Sequence, residues 1–180
     1  SDWRGVLVLP AHRSPPADHG PVPADGIRGE GGTLTVAARE ENNIRLMMAI
    51  IGARSTVPVL RSVNWLRVRK ARGLSVAELA GVGVTTLACI PEYPTPPQNF
   101  HTERLWDLLP MPFGWSSHTT GWGDCVAAVR DGASVVEKHL CLDPSDLEGV
   151  WSLPPGGFEM MVREIAVQRR APQGKETQHE

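Results

Sequence analysis

Three stretches decide the fold: Thr85-Thr86-Leu87-Ala88-Cys89-Ile90, Phe113-Gly114-Trp115-Ser116-Ser117-His118-Thr119, and Ala133-Ser134-Val135-Val136-Glu137-Lys138-His139-Leu140-Cys141. Each reads as a buried strand: a short run rich in apolar, β-branched or aromatic residues, bounded by turn formers. Pro91 stops the first. The segments between them carry helical spacing. Leu105, Leu108 and Leu109 share one face of a helix over 101–109. Trp122, Cys125, Val126 and Val129 fall at i, i+3, i+4 and i+7, with Gly132 placed to end that helix. Phe158, Met161, Val162 and Ile165 repeat the pattern, and Ser75-Val76-Ala77-Glu78 is a capping box that opens a helix upstream. From residue 75 the order is therefore α-β-α-β-α-β-loop-α. Short links in that order imply parallel strands joined by crossover helices.

The spacing bounds the architecture. The strands recur every 22 to 28 residues, from Thr85 to Phe113 and from Phe113 to Val135. Eight such units need about 250 residues. A chain of 180 residues has room for a partial (β/α) barrel or a small open sheet. Upstream of about residue 73 the text changes. Pro10, Pro15, Pro16, Pro21 and Pro23, then Gly26, Gly29, Gly31 and Gly32, leave punctuation and little periodicity. Val6 to Leu9 form one short strand candidate stopped by Pro10, and Ile44 to Ile51 fit a helix turn or a strand equally. Residues 1–72 are thus an unassigned, irregular Pro/Gly/Arg-rich region, residues 73–171 a barrel segment, and residues 172–180 a polar tail.

Composition excludes several classes. The net charge of -2 offers no global positive excess for nucleic acid, and no run approaches the ~18 apolar residues of a membrane span. Ser1-Asp2-Trp3-Arg4 lacks the basic start and apolar run of a signal peptide. Cys89, Cys125 and Cys141 are odd in number and have no CxxC spacing, so the expectation is three buried thiols in a cytoplasmic protein. Charge is uneven: residues 1–72 hold 11 basic and 6 acidic residues, residues 73–180 hold 7 and 14. Arg54, Arg61, Arg67, Arg69, Lys70 and Arg72, with Trp65 among them, form a basic segment over 53–72. Its alternatives are a weak nucleic-acid-binding module and a solvated stretch, of which the solvated stretch is favoured.

Chemistry-bearing residues gather at strand ends. Tyr93-Pro94-Thr95-Pro96 follows the first strand, Ser116 and His118 close the second, and Glu137-Lys138-His139 close the third. In parallel α/β folds the loops after the strands build the active site. Neighbouring strands lie about 4.8 Å apart, so two imidazoles at equal height can share one ion. His118 and His139 are accordingly a candidate metal pair, and Ser116 points to the same face as His118. The plain alternatives are turn punctuation for Tyr93 to Pro96, solvated strand-end charges for Glu137 and Lys138, and core positions for Trp115, Trp122 and Trp151.

These motifs, with Cys89 before Tyr93-Pro94-Thr95-Pro96, Gly114-x-Ser116-x-His118-Thr119, and Gly132-Ala133 before Glu137-Lys138-His139, resemble the sialic acid synthase (N-acetylneuraminate synthase) family over residues 73–170. The resemblance implies the second half of a TIM barrel. It implies condensation of phosphoenolpyruvate with N-acetylmannosamine or a related N-acetylated amino sugar, releasing phosphate, as in nonulosonic acid biosynthesis by a transferase. It implies a divalent metal, manganese or magnesium, at His118 and His139, with Ser116 toward phosphoenolpyruvate, Tyr93 toward the sugar and Glu137 in the catalytic position.

The departures are specific. Ser117 stands where the family usually has Asp, and Pro91 replaces a side chain that could hydrogen-bond. The loop that carries a sugar-binding Asp in the family offers only Asp146 or Glu148. Lys70 is the single lysine of residues 1–72, where family members hold phosphoenolpyruvate with lysines. These departures fit a truncated or degenerate member, and the alternative is a non-catalytic barrel fragment. Open strand edges would invite a homodimer.

Overall fold

The computed structural model describes residues 5–10, 34–38, 43, 45, 59–71, 84–99, 105–143, 145 and 147–170. Six strands form one parallel sheet: β1 (Gly5–Pro10), β2 (Leu34–Val36), β3 (Val59–Asn64), β4 (Val84–Cys89), β5 (Phe113–Ser117) and β6 (Val135–Leu140). Their order across the sheet is β1-β6-β5-β4-β3-β2. Helices α1 (Trp65–Ala71), α2 (Leu105–Leu108), α3 (Gly123–Arg130) and α4 (Pro155–Arg170) follow β3, β4, β5 and β6. This is the partial (β/α) barrel that the resemblance implies, one of the two arrangements for which the strand–helix spacing leaves room.

Alternation along the strands sorts the residues onto two faces. On the helix side, Val63, Ala88 and Trp115 join Trp65, Val68, Ile90, Leu105, Leu109, Phe113 and Ala128 in one buried cluster. A second cluster, Cys125, Val129, Val136, Leu153, Met161 and Ile165, seals α3 and α4 to the sheet. The inner face has an apolar floor of Leu60, Leu87 and Val135. Gly114 lies level with Leu87 and Val135 in the ladders. A Cβ there would stand 2.6 Å from the Val135 carbonyl oxygen and 2.4 Å from Leu87 Cδ2, so the floor closes only over a glycine. Above it the inner face turns polar, with Ser116 in register with Glu137.

Several expectations change. Residues 1–72, read as irregular, supply three of the six strands and α1. Val6 to Leu9 do form a strand, β1, and it pairs with the distant β6, Leu7 opposite Glu137 and Leu9 opposite His139. The basic segment is divided: Arg61 lies on β3 at 2% exposure, and Trp65 is fully buried, so the aromatic is part of the core. Arg69 and Lys70 are exposed on α1. Glu137 and Lys138 are not solvated, at 4% and 0% exposure. All three cysteines are buried and outside any disulfide, as expected. Gly132 follows α3 with a φ of 99°, a left-handed conformation that suits glycine. The capping box at 75–78, most of 44–51, Asp146, Arg54, Arg72 and the tail 172–180 lie outside the described residues.

Candidate active site

The C-terminal ends of β3 to β6 open into a cavity of about 540 Å³. Its lining includes Tyr93, Ser116, His118, Glu137, His139 and Glu148, so all six candidate residues meet in one place. Strand register brings them there. Ser116 and Glu137 are ladder partners, and two residues on, beyond the β5–β6 ladder, stand His118 and His139. Their ring centroids are 5.3 Å apart at an interplanar angle of 72°. The loop after β4 returns across the rim, where the Thr95 amide donates to the His118 carbonyl at 2.8 Å. It lays the Tyr93 ring 4.1 Å from the His118 ring, centroid to centroid. Thr95 is buried and bridges to Thr119, so the Tyr93 to Pro96 segment is part of the site wall as well as a turn.

Hydrogen bonds fix the imidazoles. His118 Nδ1 lies 3.0 Å from the Ile90 carbonyl. A carbonyl only accepts, so Nδ1 carries the hydrogen and Nε2 keeps its lone pair. Burial lowers the His118 pKa to about 4, reinforced by His139 and Lys138 and opposed by the Ile90 bond. The ring is neutral at pH 7. His139 Nδ1 lies 3.0 Å from Glu148 Oε2, which in the same way leaves Nε2 as the acceptor of the neutral ring. A histidine whose Nδ1–H is held by a carbonyl or carboxylate is the form that ligates metals. The pair therefore fits a divalent ion by donor chemistry. Among the described residues no cluster of three or more His, Cys, Asp or Glu could hold one.

The carboxyls differ. Ser116 donates its hydroxyl to Glu137 Oε1 at 2.8 Å, whereas Oε2 is buried without a hydrogen-bond partner. Burial raises the Glu137 pKa, and the Ser116 bond opposes that rise. Glu148 is half-buried and oriented by His139. Around these groups the described lining holds Thr35, Ala37, Ala38, Ser62, Cys89, Pro91, Leu147 and Trp151, with neither lysine nor arginine. Trp151 departs from its expected core position: it is half-buried, lines the cavity and meets Tyr93 edge-on at 5.6 Å. It comes from the loop after β6, where no motif signals it. Thr35 and Ser62 were also missed, because β2 and β3 carry no strong strand pattern.

Comparison with known proteins accounts for this arrangement. Human N-acetylneuraminate-9-phosphate synthase is 35% identical over 91 residues, which is 47% of this chain and 25% of that protein. The N,N'-diacetyllegionaminic acid synthase of Campylobacter jejuni is 36% identical over 87 residues, 46% of this chain and 26% of that protein. The matched part thus spans about a quarter of the length of these relatives. Among solved structures, the N-acetylneuraminic acid synthetase of Leptospira borgpetersenii, in complex with citrate, superposes with a TM-score of 0.65 at 23% identity. That superposition covers 82% of this chain and 53% of that one, and supports the barrel fold. The family model described as NeuB family matches residues 35–177, taking in β2 and β3 as well as the strand-end motifs. With most of its length matched and its site residues on one barrel rim, the chain belongs to the NeuB family.

Proposed function

We propose that this chain carries the metal- and sugar-facing part of a nonulosonic acid synthase site. The reaction is condensation of phosphoenolpyruvate with N-acetylmannosamine or a related N-acetylated amino sugar, with release of phosphate. The observation that supports it most is the meeting of His118, His139, Glu137, Ser116, Tyr93 and Glu148 in one cavity, with Nε2 of both histidines left as acceptors. His118 and His139 would hold the divalent ion, manganese or magnesium. A bound ion there supplies Lewis-acid polarisation of the sugar's aldehyde oxygen.

The protein's own groups have distinct tasks in this reading. Burial raises the Glu137 pKa, which favours its protonated form relative to an exposed carboxylate, and in that form it can give a proton to an oxygen that gains charge. Ser116 keeps that carboxyl aimed and re-aims its hydroxyl to phosphoenolpyruvate when it binds. Tyr93 and Trp151 present ring faces and edges to a sugar, and Glu148 accepts from sugar hydroxyls while orienting His139.

One observation favours a second reading, a fragment that binds sugar without turnover. Among the described residues the cavity lining has no lysine or arginine to meet the charge of phosphoenolpyruvate. Loss of one positioned donor costs about 10²–10³ in rate. Two measurements on the 180-residue chain decide. Calorimetry with Mn²⁺ and N-acetylmannosamine is expected to show binding that the double variant His118→Ala, His139→Ala loses. A coupled phosphate-release assay with Mn²⁺, phosphoenolpyruvate and N-acetylmannosamine is expected to stay near background. Robust turnover would remove the second reading; absence of metal and sugar binding would remove both.

A further inference from the structure

Behind the candidate site, on the helix side of the sheet, lies a buried polar cluster that the proposed chemistry does not use. Lys138 sits between Glu137 and His139 on β6 and has no solvent exposure. Its Nζ donates to Ser117 Oγ at 3.0 Å and to the Thr119 carbonyl at 2.6 Å. These two acceptors flank His118 in the chain. Asp124, buried in the first turn of α3, accepts from Thr119 Oγ1 at 2.8 Å and from Trp115 Nε1 at 2.9 Å. Its charge favours the ammonium form of Lys138 against the effect of burial.

A buried ammonium is costly to desolvate, and a buried charge pair replaced as a whole by apolar side chains is often as stable or more so. The bonds it makes point to what it is for. The ladder between β5 and β6 ends at Ser117 opposite Lys138. His118 is the first residue beyond it, so strand pairing with β6 no longer holds its backbone. The Lys138 bonds restore that tie across the gap, one residue to each side of His118.

We propose that Lys138 is a positioning residue: from the back of the sheet its ammonium ties Ser117 and Thr119 to β6, with Asp124 as countercharge, and thereby fixes His118 relative to His139. The inference rests on the histidine pair being the metal-facing edge of the site, but its test does not depend on metal alone. The first readout is ring-nitrogen NMR of the ¹⁵N-labelled, metal-free chain at pH 7. The wild type is expected to show His118 in a single Nδ1-protonated form. The second is the apparent Kd for Mn²⁺, read from the free-ion EPR signal.

Lys138→Met leaves the Asp124 carboxylate buried without its countercharge and should melt below wild type; the folded variant should show a second His118 tautomer and bind Mn²⁺ about 10–100-fold more weakly, as loss of supporting contacts does. Asp124→Asn should shift both readouts the same way. Adding Ser117→Asp to Asp124→Asn returns a carboxylate to Nζ and should recover them, which a purely structural loss would not allow. A folded Lys138→Met with His118 tautomer and Mn²⁺ affinity unchanged would overturn the proposal. If Lys138→Met does not fold, a double variant no better than Asp124→Asn would overturn it. If the wild type binds no Mn²⁺, the reading of the site fails, while the tautomers still decide the positioning role.

Discussion

At the scale of single residues, two positions govern how the inner face works. Gly114 lets the floor residues Leu87 and Val135 approach, and the nearest rigid neighbour of an added Cβ is backbone, the Val135 carbonyl. Leu87 can turn its methyl aside, but the strand cannot move without shifting Ser116. Gly114→Ala is therefore expected to lower stability by about 1–3 kcal/mol, measured by urea unfolding, and to weaken Mn²⁺ binding as well. His118 makes the metal-free chain acid-sensitive. Its pKa is about 4 in the fold against 6.5 unperturbed, so between those values the unfolded state binds more protons. The His118 contribution is complete above pH 6.5 and is lost as pH falls through about 4. The difference amounts to roughly 3 kcal/mol. Glu137 acts in the opposite sense, since its raised pKa means the fold binds its proton more readily than the unfolded chain does. Urea titrations from pH 7 to 4 should show falling stability for wild type and a flatter profile for His118→Gln.

At the scale of elements, what the sequence revealed follows from burial. Strands β4 to β6 are covered by helices outside and by floor or site inside, so they read as compact runs between turn residues. β3 is equally buried but carries Arg61, Ser62 and Asn64, and its polar text hid it. β2 is only three residues long and leaves almost no pattern. The site was legible where side chains ride on strand ends with fixed register, as Ser116, His118, Glu137 and His139 do. It was not legible where a long loop decides placement, as with Trp151. The helix spacing over 158–165 also held: Met161 and Ile165 are buried against Cys125, Val129 and Val136. Met161→Ala is expected to cost about 2–5 kcal/mol in chemical denaturation. The neighbouring exposed Met160, changed to Ala, should cost less than about 0.5 kcal/mol.

At the scale of the molecule, the sheet has two outer strands, β1 and β2, and among the described residues no ladder joins them. Unpaired edges of parallel strands are templates for other chains. The 180-residue chain is expected to self-associate with rising concentration, visible as a growing apparent mass in light scattering. A single mass of 19.6 kDa across a hundredfold dilution series would show that the edges are protected.

The place of β1 also has a bearing on synthesis. Strands β2 to β6 can be laid down in order, each finding its neighbour soon after leaving the ribosome. β1 cannot, because Leu9 and His139, its register partner, are 130 residues apart. At a translation rate of about 5–20 residues per second the emerged strand waits roughly 6–26 s for β6. Throughout that interval it is an orphan β-segment on a nascent chain. Slowing elongation between the two should therefore raise aggregation in vivo, while a circular permutant that places β1 after α4, and so soon after β6, should be spared.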